Sequence, residues 1–294
     1  MEPGALPSKS AWQPLTPKGV AAFARAPSAR LFLVELLVAL IVAGITGWFA
    51  QSAWCPVVAA AIAKLPDQGE IRDGRMDWRG AAPQVLAENH FLALSVDLQH
   101  AAEAHSPAHL QVEFGQADVQ IDSLFGYVRF AYWRGWVLPC SRAELTPWWG
   151  AWRPPLLALL VFGVILFLIL SWSLLAMVYS LPAWLLAFFL NRDLALRCSW
   201  RLCSASLMPG ALLMSGAIVL FRLGLFDLVG LSVAVVVHFI VGWGFIVAGV
   251  LHLDRLPSLS APEGNPFVRA AINQTNVHKP SSASEPQPDR EKQT

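Results

Sequence analysis

LFLVELLVALIVAGITGWFA, Leu31 to Ala50, is the stretch that decides the fold. One charge, Glu35, interrupts it. At about 1.5 Å per helical residue, about 20 residues span about 30 Å, the thickness of a bilayer's hydrocarbon core. The run therefore reads as a first transmembrane helix, 31–50. A cleaved signal peptide is the rival reading, because Ala50 and Ser52 fit a small-residue cleavage site. About 30 residues precede the run, however, and the apolar region of a signal peptide is usually about 7–15 residues long. The expectation is an uncleaved anchor.

The rest of the chain agrees with a membrane reading. Of 294 residues, 55% are hydrophobic and only 14% charged, and the mean hydropathy is +0.50. Soluble domains carry about 25% charge, so a soluble single-domain enzyme is disfavoured. A net charge of +1 supplies no field to attract nucleic acid. Further apolar runs are Pro154–Leu190, Met208–Phe221 and Leu228–Leu251.

Charge sets the expected topology. Lys9, Lys18, Arg25 and Arg30 precede the first span, and Arg192, Arg197 and Arg201 follow the second apolar run. Residues 51–153 carry eight bases and eleven acids. Basic loops stay cytoplasmic, so 154–190 should cross once. That gives a cytoplasmic segment 1–30, an extracytoplasmic β-rich domain 51–153, and a second span 155–178. A cytoplasmic interfacial helix or loop follows at 179–203, then spans at 204–222 and 228–251. The tail 252–294, rich in Pro, Ser, Gln and Asn, should be cytoplasmic and disordered. A tight hairpin within 154–190 is the alternative. The localisation expected is the bacterial inner membrane, multi-pass, with both termini inside.

Between the first two spans the pattern changes to period two. Glu70–Trp78 reads as a hairpin around Asp73-Gly74. Leu92–Leu98, Leu110–Phe114, Val119–Ile121 and Tyr127–Trp133 each fit a half-buried strand. Five or six antiparallel strands are expected. Ala53–Leu65 fits a short helix, either lying on the outer leaflet or extending the first span. The fold class is thus α+β: a bundle of four transmembrane helices with an inserted extracytoplasmic antiparallel β-rich domain.

Catalytic motifs are lacking: no GxxxxGK[ST], HExxH, GxSxG or paired CxxC, and no GxGxxG after a strand. His100, His105 and His109 cluster with Glu103 and Glu113 and are candidate zinc or copper ligands. Pro107 interrupts any helix that would align the last two, and an exposed polar loop is the plainer reading. Asp67, Glu70, Asp73 and Asp77 surround the hairpin without the spacing of a calcium loop. Glu35 and His238 lie inside spans, where ionisable groups are functional candidates. Glu35 is close enough to the cytoplasmic end to snorkel. Gly230, Ala234, His238 and Gly242 recur every four residues, a small-residue face, so His238 should face the bundle and bond a carbonyl or polar side chain. Cys55 and Cys140 stand at the two feet of the domain, and a disulfide there would suit an oxidising compartment. Cys198 and Cys203 should be reduced thiols. No cofactor is indicated.

With those residues in view, the chain resembles bacterial membrane proteins of the DUF1189 kind, allied to the Yip1-like bundles. A basic N-terminus leads into one span, and Leu65-Pro66 and Gly69-Glu70-Ile71-Arg72-Asp73-Gly74-Arg75-Met76 are similar to that family's P…I-x-D-G-x-L motif. Phe91–Asp97 lies in a β-rich stretch, and Arg197-Cys198-Ser199-Trp200-Arg201 leads into Met208-Pro209-Gly210. The resemblance implies a fold plan and no activity. Here the His-bearing outer loop is longer and a Pro/Ser tail is added. The expected function is a non-enzymatic one: the bundle holds an outer domain that binds a protein partner or envelope ligand, with the bilayer itself as the other partner and no nucleic acid. A small permease or accessory transport subunit, and a metal-dependent membrane enzyme, are the alternatives.

Overall fold

The computed structural model describes residues 12–101 and 106–256. Four of its helical segments are long and apolar enough to cross a bilayer: Ser28–Ala63, Arg142–Phe189, Leu196–Arg222 and Leu228–Leu251. The first is compound. Helix α2 (Ser28–Phe49) runs through a π-helical turn (Ala50–Trp54) into α3 (Cys55–Ala63), so Ala53–Leu65 extends the first span. It is preceded by α1 (Pro17–Phe23), capped by Thr16, whose hydroxyl accepts from Gly19 N at 3.1 Å. Helix α1 buries Val20 and Phe23 completely in the end of the bundle.

Helix α4 (Arg142–Phe189) is continuous over 48 residues, about 72 Å at 1.5 Å per residue. The expected break at 178/179 is absent. Ser180–Leu190 is the last part of this helix and not a separate interfacial piece, and no hairpin occurs in 154–190. Pro182 removes one backbone donor but does not end the helix. The stop comes at Asn191, which takes φ 53°. Asn191 N then bonds Phe188 O at 3.1 Å and Arg192 N bonds Ala187 O at 2.8 Å, a Schellman closure. Gly224, at φ 74°, closes α5 (Leu196–Arg222) in the same way.

Helix α5 is the centre of the bundle, flanked by α2, α4 and α6 (Leu228–Leu251). Its buried positions are mostly small: Ser199, Cys203, Ser204, Ala205, Ser206, Gly210 and Ala211. Small side chains let helices approach closely. A Cβ on Gly210 would come within 2.7 Å of His238 O on α6. Around the centre, α4 presents bare apolar surface, with Leu159, Phe167 and Leu170 each more than 60% exposed. Water does not tolerate a surface of that kind, whereas hydrocarbon does.

The two ends of the bundle differ. At one, Arg25 bridges Asp193 (3.2 Å) and Asp254 (2.7 Å), and Arg201 bonds Ala26 O at 3.0 Å. The start of α2, the α4–α5 turn and the end of α6 are thereby gathered together. At the other, Arg222 bonds Ser52 Oγ at 3.0 Å, and Asn89 Nδ2 donates to Ala53 O at 2.6 Å. The β-domain sits on this second end.

That domain has two sheets. Strands β1 (Gly69–Arg72), β2 (Arg75–Trp78) and β8 (Val137–Pro139) form one, in the order β2-β1-β8. Asp73 (φ 51°) and Gly74 (φ 78°) make the positive-φ turn that two-residue hairpins favour. The other has the order β3-β4-β5-β6-β7: Gln84–Glu88, Ala93–Val96, Leu110–Phe114, Asp118–Ser123 and Gly126–Ala131. The all-antiparallel expectation is corrected here, because β4 and β5 pair in parallel. Parallel neighbours need a crossover of about a dozen residues, and the connection from Asp97 to His109 supplies it. One face of this sheet packs Leu86, Ala87, Leu92 and Val96 against Val57 and Ala61 of α3. The expected tail lies, from residue 257 on, outside the described residues.

Candidate functional site

The other face of the five-stranded sheet is polar and closed. Alternation along β5 turns Gln111 and Glu113 to that side, each 4% exposed, beside Ser95 of β4 at 0%. Gln111 Nε2 donates to Ser95 Oγ (3.1 Å) and Glu113 Oε2 (3.3 Å). Ser106, on the crossover, donates its hydroxyl to Glu88 at 2.5 Å and its amide to Gln111 Oε1 at 3.0 Å. His100 completes the chain: Nδ1 lies 2.5 Å from Glu113 and Nε2 lies 2.6 Å from Asp118. Burial opposes protonation of His100, but its bonds to Asp118 and Glu113 and their charges outweigh it, and the pKa is raised. His100 is thus held between two carboxylates that favour its protonated form, and it ties the start of the crossover to the sheet.

Of the three candidate ligands, the described His100 and His109 are held by different partners. His100 uses both ring nitrogens on carboxylates. His109 stands elsewhere, stacked on Phe221 at 5.2 Å and 4.2 Å from the His90 ring. His105 lies outside the described residues. Among the described residues no group of three or more His, Cys, Asp or Glu is placed to hold a metal ion. Pairing with nearer carboxylates and packing on aromatic rings take the histidines apart. Burial and the neighbouring His90 lower the pKa of His109, with Asp227 opposing, so its ring is neutral near pH 7. Its Nδ1 is buried without a partner.

Sequence reading missed two members of these groups, His90 and Asp118. Gly115 was a further signal: a Cβ there would lie 2.2 Å from His100 Nε2, so the turn after β5 must be bare for the imidazole to enter.

Strand β7 is the open edge of the sheet. All six of its residues are exposed, with Tyr127 at 63%, Val128 at 55% and Phe130 at 57%. Its pairing within the sheet is with β6 alone. The one charge on it, Arg129, lies over the Tyr127 ring at 5.2 Å and bonds Gln120 at 2.6 Å. Natural edges are usually blunted by charge, proline or cover, and β7 shows little of this.

Inside the bundle, Glu35 does not snorkel as expected. It is 1% exposed and accepts a hydrogen bond from Ser204, while Oε2 is buried without a partner. Helix α5 supplies the partner in place of water. His238 Nδ1 bonds Val235 O of its own helix at 2.6 Å, and Ala234 and Gly242 on the same face are buried. The four cysteines are free thiols, so the Cys55–Cys140 disulfide is not formed. Cys55 is buried at the start of α3, and Cys140 follows β8, where burial pushes its thiol up to about 11.

No protein-family model, curated protein or solved structure matches the chain.

Proposed function

We propose that this chain is a non-enzymatic inner-membrane protein. Its four helices hold the β-domain on the extracytoplasmic side, with both termini cytoplasmic, and the domain binds an extended polypeptide along β7. The fold plan of DUF1189-like proteins belongs to the same proposal. The observation that carries the reading is the edge itself: a six-residue strand, exposed along its length, with aromatic and branched side chains and little to repel a new strand. An added strand gains backbone hydrogen bonds, and alternate side-chain positions supply selectivity. No assembled catalytic group competes with this reading among the described residues.

Hydrogen exchange tests it. The β7 amides should exchange at least about tenfold more slowly in native membranes than in pure-lipid nanodiscs, equivalent to about 1.4 kcal/mol of edge protection. The Val128→Lys/Phe130→Lys double variant should lose that protection. Equal exchange in the two settings would reject the reading. The transport alternative rests on His238 on the small-residue face of α6. Full substrate flux in His238→Ala would remove its support.

A further inference from the structure

The β6–β7 turn comes down beside the outer ends of α2, α5 and α6, and two cavities meet there. The first, about 350 Å³, is a nearly wholly apolar groove walled by Thr46, Phe49, Met214, Ile218 and Leu231 together with Phe125 of the turn. Five of those six belong to helices long enough to span a bilayer, and with the β-domain placed outside, as proposed above, the groove opens toward the outer leaflet. The second, about 440 Å³, lies beside the sheet and mixes apolar wall with the polar groups of Ser106, Gln111, Asp122 and Asp227. His109, Ser123, Leu124 and Leu228 line both. At that junction His109 carries the buried, unpartnered Nδ1.

An apolar groove on membrane-length helices that leads to a pocket carrying two carboxylates has the polarity profile of a lipid. The described wall of the pocket contains two carboxylates and no lysine or arginine. A purely anionic headgroup would be repelled there, and an ammonium attracted. Both carboxylates are fixed in place, Asp122 by Gln120 Nε2 at 2.8 Å and Asp227 by Gly230 N at 2.7 Å. We propose that the paired cavities hold one bilayer lipid, with its acyl chain in the groove and an ammonium-bearing headgroup in the pocket. The His109 side chain lines both cavities at their junction. The site stands on observations separate from the β7 edge, rests on the membrane placement proposed above, and goes beyond the binding reading.

Photo-crosslinking of the full chain in nanodiscs tests it. Two probes carry the same diazirine-labelled acyl chain, one on phosphatidylethanolamine and one on phosphatidylglycerol. The ethanolamine probe should label residues 106–125 at least about fivefold more than the glycerol probe, the ratio given by about 1 kcal/mol of headgroup preference. Asp122→Asn with Asp227→Asn should bring the ratio close to one, since asparagine retains the helix cap at 227. Leu231→Trp should remove labelling by both probes by filling the groove. Should that variant fail to fold, the asparagine pair still decides. Equal labelling by the two probes in the native chain would show only general contact with lipid and overturn the proposal. Absence of labelling in 106–125, or a preference unchanged by the asparagine pair, would overturn it too.

Discussion

His100 takes a left-handed backbone conformation, φ 52°, to place its ring between Glu113 and Asp118. Because the folded pKa is raised, the folded state holds the proton more tightly than the unfolded chain does. This stabilisation is complete below the unperturbed value near 6.5 and is lost as pH rises through the higher folded value. The thermal midpoint of the detergent-solubilised chain should therefore fall across that window. His100→Gln should flatten that part of the slope; an unaltered slope would remove His100 as its source. At low pH, His100→Ala should cost about 3 kcal/mol, because two carboxylates are left facing each other without their cation. Gly115→Ala should destabilise the same contact through the ring it displaces, by about 1–3 kcal/mol. In the bundle, Ser204→Ala strips Glu35 of its hydroxyl donor. Denaturant titration should show a loss of about 1–3 kcal/mol, the cost of a buried acceptor left unsatisfied.

At the scale of elements, Asn191 gives the sharpest expectation. Its αL conformation closes α4, and a residue with a Cβ but no locally bonding side chain pays about 1–2 kcal/mol to adopt it. Asn191→Gly should leave the midpoint unchanged or raise it, whereas Asn191→Val should lower it. Equal effects would mean that the closure contributes nothing. This helix end also shows where sequence reading fell short. As the charge rule grouped them, Arg201 lies at the same end of the bundle as Arg25, but the single crossing it assigned to 155–178 continues as one helix to Phe189. Strands β4 to β7 and the Asp73-Gly74 hairpin were legible because period two and turn chemistry are local signals. The parallel β4–β5 pair was not, because pairing direction depends on where the crossover lands, and no short window records that. Strand β3 was missed because Gln84–Glu88 alternates weakly and contains a bulge at Val85/Ala87. Of the candidate site residues, Glu113 was linked to His100 by proximity in sequence. Asp118 was not, since it reaches the ring only through β5–β6 pairing.

At the scale of the whole molecule, the two ends of the bundle define an axis. Arg25, Asp193 and Asp254 meet at one end, while Ser52, Arg222 and Asn89 lie at the other with the β-domain. Helices α2, α4, α5 and α6 each run from one of these ends to the other, so the structure admits one sidedness pattern if it sits in a bilayer. The clip at the first end is exposed, with Arg25 side-chain exposure of 56%. Exposed pairs contribute about 0–1 kcal/mol, so Arg25→Ala should barely move the midpoint. The order of the ends rests instead on the small-residue packing of α5 and on the apolar surface of α4, which hydrocarbon must cover. Single cysteines tested in a background without the native four make this measurable. Cysteines replacing Arg25 and Asp193 should react with a membrane-impermeant maleimide only after intact spheroplasts are opened. Those replacing Asp67 and Phe125 should react beforehand. Labelling of all four from one side would mean that the helices do not cross as paired here, and the proposed placement of the β-domain outside the membrane would fall with it.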